Sequence, residues 1–391
     1  MNGAALAGLL FLTHGVPALA QQPEKTYDYP NKELWYKARQ NSQGATSTLR
    51  ESFIRLGSPD FDVDAYINSV RGQIMMKHWA NFVTYEDKGE MDPAVVAFWE
   101  KKGLKKEMHN AGDPPNRWST FVPLSAYRRG NESRRYPLVI HVHAPGGRGG
   151  GNTPFNLESQ GWPDEAARAE FIVAILMNGS PSSILGVIQE MRAKYPIDES
   201  RMYGTGFSAG GESMQHFVME NPTVFAGLAI SAIMYPIQEN QAAEIAKHRI
   251  GIQIVSGNKE FSVHFFPSYA APNVQWAGLN SWLTTLGIGN MDQEEMRKTF
   301  NSADVVERKS GLRFKGVEKI VQMQDGVTYY IGDLADKQGA GLMRVGVADE
   351  QLHWPGVGDA TLGWRFLKQF RRDLKTGNLV YEKDDSFFGR K

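Results

Sequence analysis

The chain lacks cysteine entirely: none occurs among its 391 residues. It can therefore form no disulfide, no thiolate-ligated zinc or iron–sulfur site and no cysteine nucleophile. Any nucleophile must be another side chain. A chain of this length can bury a large core without disulfides, and its length predicts either two domains or one large domain with an accessory part.

An excess of charge of either sign is also missing. Lysine and arginine together number 43, as do aspartate and glutamate, and the formal net charge is zero. The two signs are mixed along the chain, so it has neither a basic field that would hold phosphates nor an acidic tail. We therefore expect no nucleic-acid partner.

Long hydrophobic runs are absent beyond the N-terminus. There the apolar run AALAGLLFL (Ala4–Leu12) precedes small residues that end in Ala18-Leu19-Ala20. This pattern is typical of a secretory signal peptide and is too short to span a bilayer. We predict a signal peptide over 1–20, a secreted or periplasmic location, and no membrane contact after cleavage. The alternative is a buried apolar helix, since the first three residues contain no Lys or Arg.

A helical pattern dominates residues 21–115. Apolar residues are spaced by three and four in NKELWYKARQNS, TLRESFIRLG, DVDAYINSVRGQIMMKHWANFV and DPAVVAFWEKKGLKKEMH. We predict a helical N-terminal extension that packs on the main body. NAGDPPN (Asn110–Asn116) has the composition of a connector, so a second unit is predicted over 116–391.

After this connector, short apolar runs alternate with amphipathic segments. The predicted strands are STFVPL, PLVIHVHA, FIVAILM, RMYGTGFS, GLAISAIM, IGIQIVSG and GLMRVGVA, and the predicted helices include SILGVIQEMRAKY, GGESMQHFVMENP and ATLGWRFLKQFRRDLK. Strands that are apolar throughout predict an α/β fold whose mostly parallel central sheet is covered by helices on both faces. KIVQMQDGVTYYIG predicts a hairpin that turns at Asp325-Gly326, and 261–313 predicts an insertion without a sheet strand.

The sharpest motif is GTGFSAGG (Gly204–Gly211), which follows a predicted strand and precedes a predicted helix. It contains G-x-S-x-G in the strand–turn–helix context of a nucleophile elbow, where small neighbours let the backbone pack tightly around an exposed serine. This context predicts Ser208 as a nucleophile. The alternative is a glycine-rich turn that only packs.

A serine nucleophile needs a general base, and in an elbow-type hydrolase the order along the chain is Ser, acid, His. Four histidines follow Ser208, and three are excluded: His216 lies on the elbow helix, His248 precedes a strand, and His264 follows that strand too closely. His353, in ADEQLHWPGVGD, remains as the predicted base. The alternative is a structural histidine beside Trp354.

The acid is expected in a loop that follows a strand between Ser208 and His353. Glu260 is the first carboxylate after IGIQIVSG, and it would orient the imidazole and stabilise its charged form. The rivals are Asp333, Asp349 and Glu350.

The tetrahedral intermediate of acyl transfer needs N–H donors. Ala209 supplies one, because it follows the nucleophile directly. The second is predicted at Gly146 or Gly147, in the loop HVHAPGGRGGG that follows an early strand. The same loop could be a phosphate cradle, but it lacks the Lys-Ser/Thr end of a P-loop.

Five blocks in this order carry a resemblance to a known family: PLVIHVHAPGG, YPIDESRMYGTGFSAGGESM, NPTVFAGLAIS, IVSGNKE and LHWPG. Over about residues 118–374 the chain is similar to secreted α/β-hydrolase esterases of the polyhydroxybutyrate depolymerase-like and feruloyl esterase-like kind. The resemblance implies an α/β-hydrolase fold with Ser208, Glu260 and His353 as the triad. Three departures stand out: His143-Ala144-Pro145 replaces the usual His-Gly pair, a glutamate replaces the usual aspartate, and one residue fewer separates His353 from its Trp-Pro-Gly.

The leading functional hypothesis is a secreted serine esterase that needs neither metal nor cofactor. Aromatic side chains would line its substrate pocket, the candidates being Phe207, Trp162, Trp276, Trp282 and Trp354. The alternative for each tryptophan is packing in the core, which is the more common use of this side chain. By resemblance, the substrates would be feruloyl, other aryl or acetyl esters of plant polysaccharide. Two alternatives are a hydrolase-fold binding protein without turnover and a serine peptidase, although no propeller or second large domain is visible.

Overall fold

We describe the fold from a computed structural model of the chain. The residues described are 65, 93–111, 116–131, 133–142, 161–176, 179–258, 274–299, 302–304, 307–308, 319–322, 327–351 and 358–384. The predicted signal peptide over 1–20 lies outside them. So does nearly all of the predicted helical extension before residue 93.

The secondary-structure elements are numbered here in chain order. The strands are β1 (Leu104–Ala111), β2 (Asn116–Pro123), β3 (Tyr136–Val142), β4 (Ile172–Leu176), β5 (Ile197–Phe207), β6 (Gly227–Ser231), β7 (Gly251–Gly257), β8 (Lys319–Gln322), β9 (Thr328–Leu334), β10 (Met343–Ala348), β11 (Phe370–Arg372) and β12 (Leu379–Tyr381). The helices are α1 (Pro93–Lys101), α2 (Trp162–Ala169), α3 (Pro181–Lys194), α4 (Ala209–Glu220), α5 (Glu239–His248), α6 (Val274–Thr285), α7 (Gln293–Lys298) and α8 (Gly358–Leu367).

The central sheet has ten strands in the order β1-β2-β4-β3-β5-β6-β7-β10-β9-β8. The six strands from β4 to β10 in this order run parallel, while β1, β2 and β9 pair antiparallel with their neighbours. Helices α2 and α8 contact each other, and α3, α4 and α5 form a second group of neighbours. The predicted α/β-hydrolase fold is confirmed: a mostly parallel central sheet carries helices on both faces.

Double coverage explains why apolar residues dominate both faces of the central strands. Every residue of β3, β4, β7 and β10 is buried. A strand with helices on both faces has no solvent-facing side, so alternation disappears from its sequence. All seven strands predicted from apolar runs are present.

The predicted hairpin is also confirmed. Strand β8 pairs antiparallel with β9 in a register that places Gln322 opposite Thr328, and β9 pairs antiparallel with β10. The turn itself lies outside the described residues. Within the predicted insertion, the described residues 274–299 are mainly helical, as α6 and α7.

The sheet begins earlier than the sequence predicted. The spacing in DPAVVAFWEKKGLKKEMH predicts a helix, but the helix ends at Lys101 and Leu104–Ala111 is strand β1, paired with all of β2. The expected boundary near residue 115 therefore falls inside the β1–β2 hairpin. Strand β1 is charged because it forms the edge of the sheet, where lysines discourage pairing with other chains.

The predicted C-terminal helix is shorter than expected. It ends at Leu367, and Phe370–Arg372 forms strand β11, which pairs antiparallel with β12. Phe370 is buried against the sheet and stacks near Phe366 and Tyr381. The apolar pattern that suggested a longer helix therefore comes from a different element that packs on the same core.

Strand β11 also supplies a buried cation. Arg372 is 1% exposed, and its guanidinium donates hydrogen bonds to backbone carbonyls around the start of β6 and the end of α5. Its acceptors are the carbonyl oxygens of Pro222, Phe225, His248, Arg249 and Gly377. Burial lowers the pKa of Arg372 to about 10, so the group stays charged at neutral pH.

Candidate active site

The turn between β5 and α4 has a strained backbone at Ser208. This residue has φ 52° and ψ −126°, a left-handed φ that is uncommon for a non-glycine residue. Its N–H donates to the carbonyl of Ser231 at the end of β6 (3.0 Å), and its own carbonyl accepts from the N–H of Glu212 (3.1 Å). These bonds hold the strained residue between two parallel strands and the start of a helix, which is the geometry predicted for a nucleophile elbow.

A close backbone contact beside Ser208 requires glycine at position 206. A Cβ atom added to Gly206 would lie 2.5 Å from the carbonyl oxygen of Gly210 and 2.6 Å from the amide nitrogen of Gly211. Non-bonded carbon contacts optimally lie near 3.5–4.0 Å, so no larger residue fits without moving the backbone. The first glycine of G-x-S-x-G is thus a packing requirement of this turn.

The ends of β7 and β10 are joined by a polar clamp, made of Asn258, Asp349 and Glu350. The N–H of Asn258 donates to the carbonyl of Ala348 (3.1 Å). Its side-chain amide donates to Oδ1 of Asp349 (2.8 Å) and accepts from the N–H of Glu350 (2.7 Å). A Cβ atom on Gly257 would lie 2.7 Å from the carbonyl carbon of Gln351, so the two chain segments run in close contact.

This clamp matters because the chain leads from it into two predicted catalytic positions. Glu260 follows Asn258 by two residues, and His353 follows Gln351 by two residues. Both, together with Trp354, Gly146 and Gly147, lie outside the described residues. Their roles therefore stay predictions. The strands that precede Ser208, Glu260 and His353 are β5, β7 and β10, which run parallel and so have their carboxyl ends on the same side of the sheet.

Two of the rival acids have other tasks. Asp333 accepts from the guanidinium of buried Arg344 at 2.7 and 3.0 Å. It pairs with Arg344 at the start of β10, whereas Ser208 lies at the other end of the parallel strands. Tyr329 pairs with Ala348 at the end of the sheet where Ser208 lies. Asp333 is four residues further along β9, which corresponds to a distance of roughly 13 Å. Asp349 uses one oxygen for Asn258 and the other for the hydroxyl of Tyr330 (3.2 Å).

Three tryptophans predicted to line a substrate pocket are core residues instead. Trp282 is 0% exposed, and its indole N–H donates to the carbonyl of Tyr235 (2.9 Å), so it fixes α6 on the loop after β6. Trp162 is 3% exposed and packs against Phe171 and the backbone of α8. Trp276 is 9% exposed and belongs to the same core. Large rings bury more apolar area than any other side chain, which favours this placement.

The two other predicted residues at the elbow lie where the motif puts them. Phe207 ends β5, pairs with Ser231 and is 7% exposed. Ala209 is the first residue of α4, directly after Ser208. An N–H at the first turn of a helix has no partner within the helix, which suits it to stabilising an oxyanion.

The first turn of α4 contains the acidic residue Glu212. Its Oε1 lies 3.7 Å from Nε2 of His216, and the ring of His216 lies 5.8 Å from the ring of Tyr235. Burial, the charge of Glu212 and a hydrogen bond to it raise the pKa of Tyr235. His216 thus lies close to the loop after β6.

Sequence reasoning missed a carboxylate close to Ser208. Asp359, in the first turn of α8, accepts from the hydroxyl of Ser231 (3.0 Å) and from the hydroxyl of Tyr329 (2.7 Å). In the sequence it reads as an ordinary acidic residue at a helix start. Only the pairing of β6 with β5 brings it near the elbow.

Among the described residues, no group of three or more His, Asp or Glu side chains could hold a metal ion. Within the same residues, no helix is long and apolar enough to cross a bilayer.

Comparison with protein-family models gives no match, and comparison with curated proteins gives none either. Among solved structures, the chain is similar to a thermostable esterase (19% identity, 47% of this chain, 51% of that chain, TM-score 0.34). It is similar also to a ferulic acid esterase (12% identity, 40% of this chain, 79% of that chain, TM-score 0.32). A third similar structure is an S-formylglutathione hydrolase from Agrobacterium tumefaciens (12% identity, 48% of this chain, 86% of that chain, TM-score 0.36). The chain spans about half the length of the thermostable esterase. These TM-scores are too low to carry an argument, so the fold rests on the order and direction of the strands.

Proposed function

We propose that the chain is a serine carboxylic-ester hydrolase with Ser208 as its nucleophile. The observation that carries the proposal is the strained turn at Ser208, held by Ser231 and packed on Gly206 and Gly210, between a parallel strand and a helix N-terminus. Strain of this kind persists only where the surrounding structure enforces it, and it is concentrated at functional sites.

The reaction proceeds in two halves. Ser208 Oγ attacks the ester carbonyl carbon while His353 accepts its proton, and the N–H of Ala209 stabilises the oxyanion, with Gly146 or Gly147 as the second donor. His353 then gives the proton to the leaving alcohol, which leaves an acyl-enzyme. Water, deprotonated by His353, then attacks the acyl carbon, the bond from this carbon to Ser208 Oγ breaks, and the carboxylic acid leaves while His353 returns the proton to Oγ.

Glu260 is the proposed acid that orients His353. The described geometry supports this choice over Asp333, which is paired with Arg344 near the far edge of the sheet, and over Asp349, which is engaged with Asn258 and Tyr330. A carboxylate in this role holds the imidazole tautomer and stabilises the imidazolium.

For the substrate, we propose aryl esters such as feruloyl esters, or acetyl esters, on plant polysaccharide, acted on by a secreted protein. The support is the resemblance of the sequence blocks to feruloyl esterase-like proteins and the apolar N-terminal run. Trp354 and Phe207 remain the proposed aromatic contacts to the acyl group, since the other three candidates are buried in the core.

The test uses a fluorophosphonate probe and short p-nitrophenyl esters on the wild type and the Ser208→Ala variant. We expect covalent labelling of Ser208, mapped by mass spectrometry, and ester hydrolysis that falls at least about 10³-fold in the variant. Equal rates in the two proteins, or no labelling of Ser208, would refute the proposal and favour a binding protein without turnover. Cleavage of peptides in preference to esters would favour a peptidase.

A further inference from the structure

Two adjacent tyrosines on β9 bind the chain on either side of the segment that carries His353. The hydroxyl of Tyr330 donates to Oδ2 of Asp349 (3.2 Å), just before this segment. The hydroxyl of Tyr329 donates to Oδ1 of Asp359 (2.7 Å), just after it. Because successive strand residues point to opposite faces, these two neighbouring tyrosines contact opposite ends of the segment.

Each of these carboxylates has a second contact, and each leads to a strand of the proposed site. Asp349 also accepts from the side chain of Asn258, which follows β7 (2.8 Å). Asp359 also accepts from the hydroxyl of Ser231 (3.0 Å), whose carbonyl receives the N–H of Ser208. The two ends of the segment are therefore tied to β6, β7 and β9 together.

The tyrosines are well placed for this role energetically. Tyr329 is 0% exposed and Tyr330 is 5% exposed, and each hydroxyl donates to a carboxylate that is itself partly buried. A hydrogen bond to a charged group is about twice as strong as one between neutral groups.

We propose that Tyr329 and Tyr330 are positioning residues that set the placement of His353 through Asp359 and Asp349. The inference rests on the proposed function, in which His353 is the base. A base must lie within hydrogen-bond reach of the serine, and a misplacement of about 1 Å can lower the rate about 10²-fold. Tethering both ends of a short segment reduces the positions that its central residue can adopt.

The test compares Tyr→Phe variants, which keep the ring and remove only the hydroxyl. We expect kcat on a p-nitrophenyl ester to fall about tenfold in Tyr329→Phe and in Tyr330→Phe, and about a hundredfold in the double variant. KM should change less than about twofold, because substrate binding is untouched. The rate of fluorophosphonate labelling should fall in parallel with kcat.

Tyr203→Phe is the matched control. Tyr203 is 0% exposed, and its hydroxyl donates to the carbonyl of Phe370 (2.7 Å), but it pairs with Gly227 at the start of β6, away from Ser208. This variant loses one buried hydroxyl bond and should keep kcat within about threefold of the wild type. Its melting temperature gives the purely structural effect of removing such a bond.

Three outcomes are distinguishable. If Tyr329→Phe and Tyr330→Phe keep kcat within about threefold of Tyr203→Phe, the inference is wrong while the proposed function stands. If their loss of kcat merely follows a lower folded fraction in urea, the tyrosines are only structural and the inference is again wrong. If the wild type is neither labelled nor active, the proposed function itself has failed. Should the double variant not fold, the two single variants decide.

Discussion

Replacing Gly206 with alanine should destroy the nucleophile turn while leaving the rest of the fold intact. The added Cβ atom would lie 2.5 Å from the carbonyl oxygen of Gly210 and 2.6 Å from the amide nitrogen of Gly211. Both atoms belong to the backbone of α4, so no side-chain rotation can relieve the overlap. The turn must open by about 1 Å to restore an ordinary contact distance.

The size of the effect follows from this overlap. Overpacking of a close-packed site costs about 1–3 kcal/mol, and an overlap with backbone belongs at the upper end. Moving the turn by about 1 Å would also displace Ser208 and the N–H of Ala209, which costs about 10²-fold in rate. We therefore expect Gly206→Ala to lose about 2–3 kcal/mol of stability and at least about 10²-fold in the rate of fluorophosphonate labelling.

Two other glycines provide controls in the same protein. A Cβ atom on Gly204, two residues earlier in β5, would meet the side chains of Leu228 at 2.7 Å and Met214 at 3.0 Å, which can move. Gly204→Ala should lose stability but keep labelling within about fivefold. A Cβ atom on Gly186 in α3 would meet nothing within 4 Å, so Gly186→Ala should gain about 0.5–1 kcal/mol. Urea unfolding and labelling kinetics are measured on all three variants. Normal labelling in Gly206→Ala would show that the turn is not the site of a reactive serine.

Two further predictions concern stability and the acid. Arg372→Met should lower the free energy of unfolding by about 3–5 kcal/mol in a urea titration, since it leaves backbone carbonyls without their donor. Arg371→Met removes an exposed ion pair with Glu382 (2.9 Å) and should lower the same free energy by about 1 kcal/mol or less. Similar losses in the two variants would contradict the structural role of Arg372. Glu260→Gln should lower kcat by about 10²- to 10⁴-fold with an unchanged unfolding curve; a near-normal kcat would assign the acid to another residue.

The central sheet was predictable because its environment leaves one clear trace in the sequence. Strands β3, β4, β7 and β10 are buried on both faces, so apolar side chains occupy most positions and the runs stand out from the amphipathic helices between them. The same reasoning predicted a tight turn at Ser208, because the glycine-rich motif lies between such a strand and a helix.

The edges of the fold were not predictable on this basis. Strand β1, with the sequence LKKEMHNA, is polar because it has only one neighbour in the sheet, and its apolar residues happen to fit a helical spacing. At the C-terminus, Phe370 continues the apolar pattern of α8 although it belongs to β11. In both places the apolar positions were identified correctly, and the backbone that carries them was not.

The role of the tryptophans shows a different limit. Trp162 and Trp282 were candidates for substrate contact because large aromatic rings serve in both binding sites and cores. What decides between the two uses is the partner of each ring: Trp282 donates to the carbonyl of Tyr235, and Trp162 packs against Phe171. Such partners are set by tertiary contacts between distant segments, and no local pattern records them.

Backbone strain at residues other than Ser208 also supports placing the proposed chemistry at the carboxyl ends of the parallel strands. Of the five described non-glycine residues with positive φ, three follow strands at these ends: Ser208 after β5, Ala232 after β6 and Glu350 after β10. Each is held by a backbone N–H bond, to Ser231, Val255 and Asn258 respectively. Alanine and glutamate have no preference for this conformation, so their sequence gives no sign of it. Strain that three separate strands maintain at one edge is the pattern expected where geometry serves a reaction and not only stability.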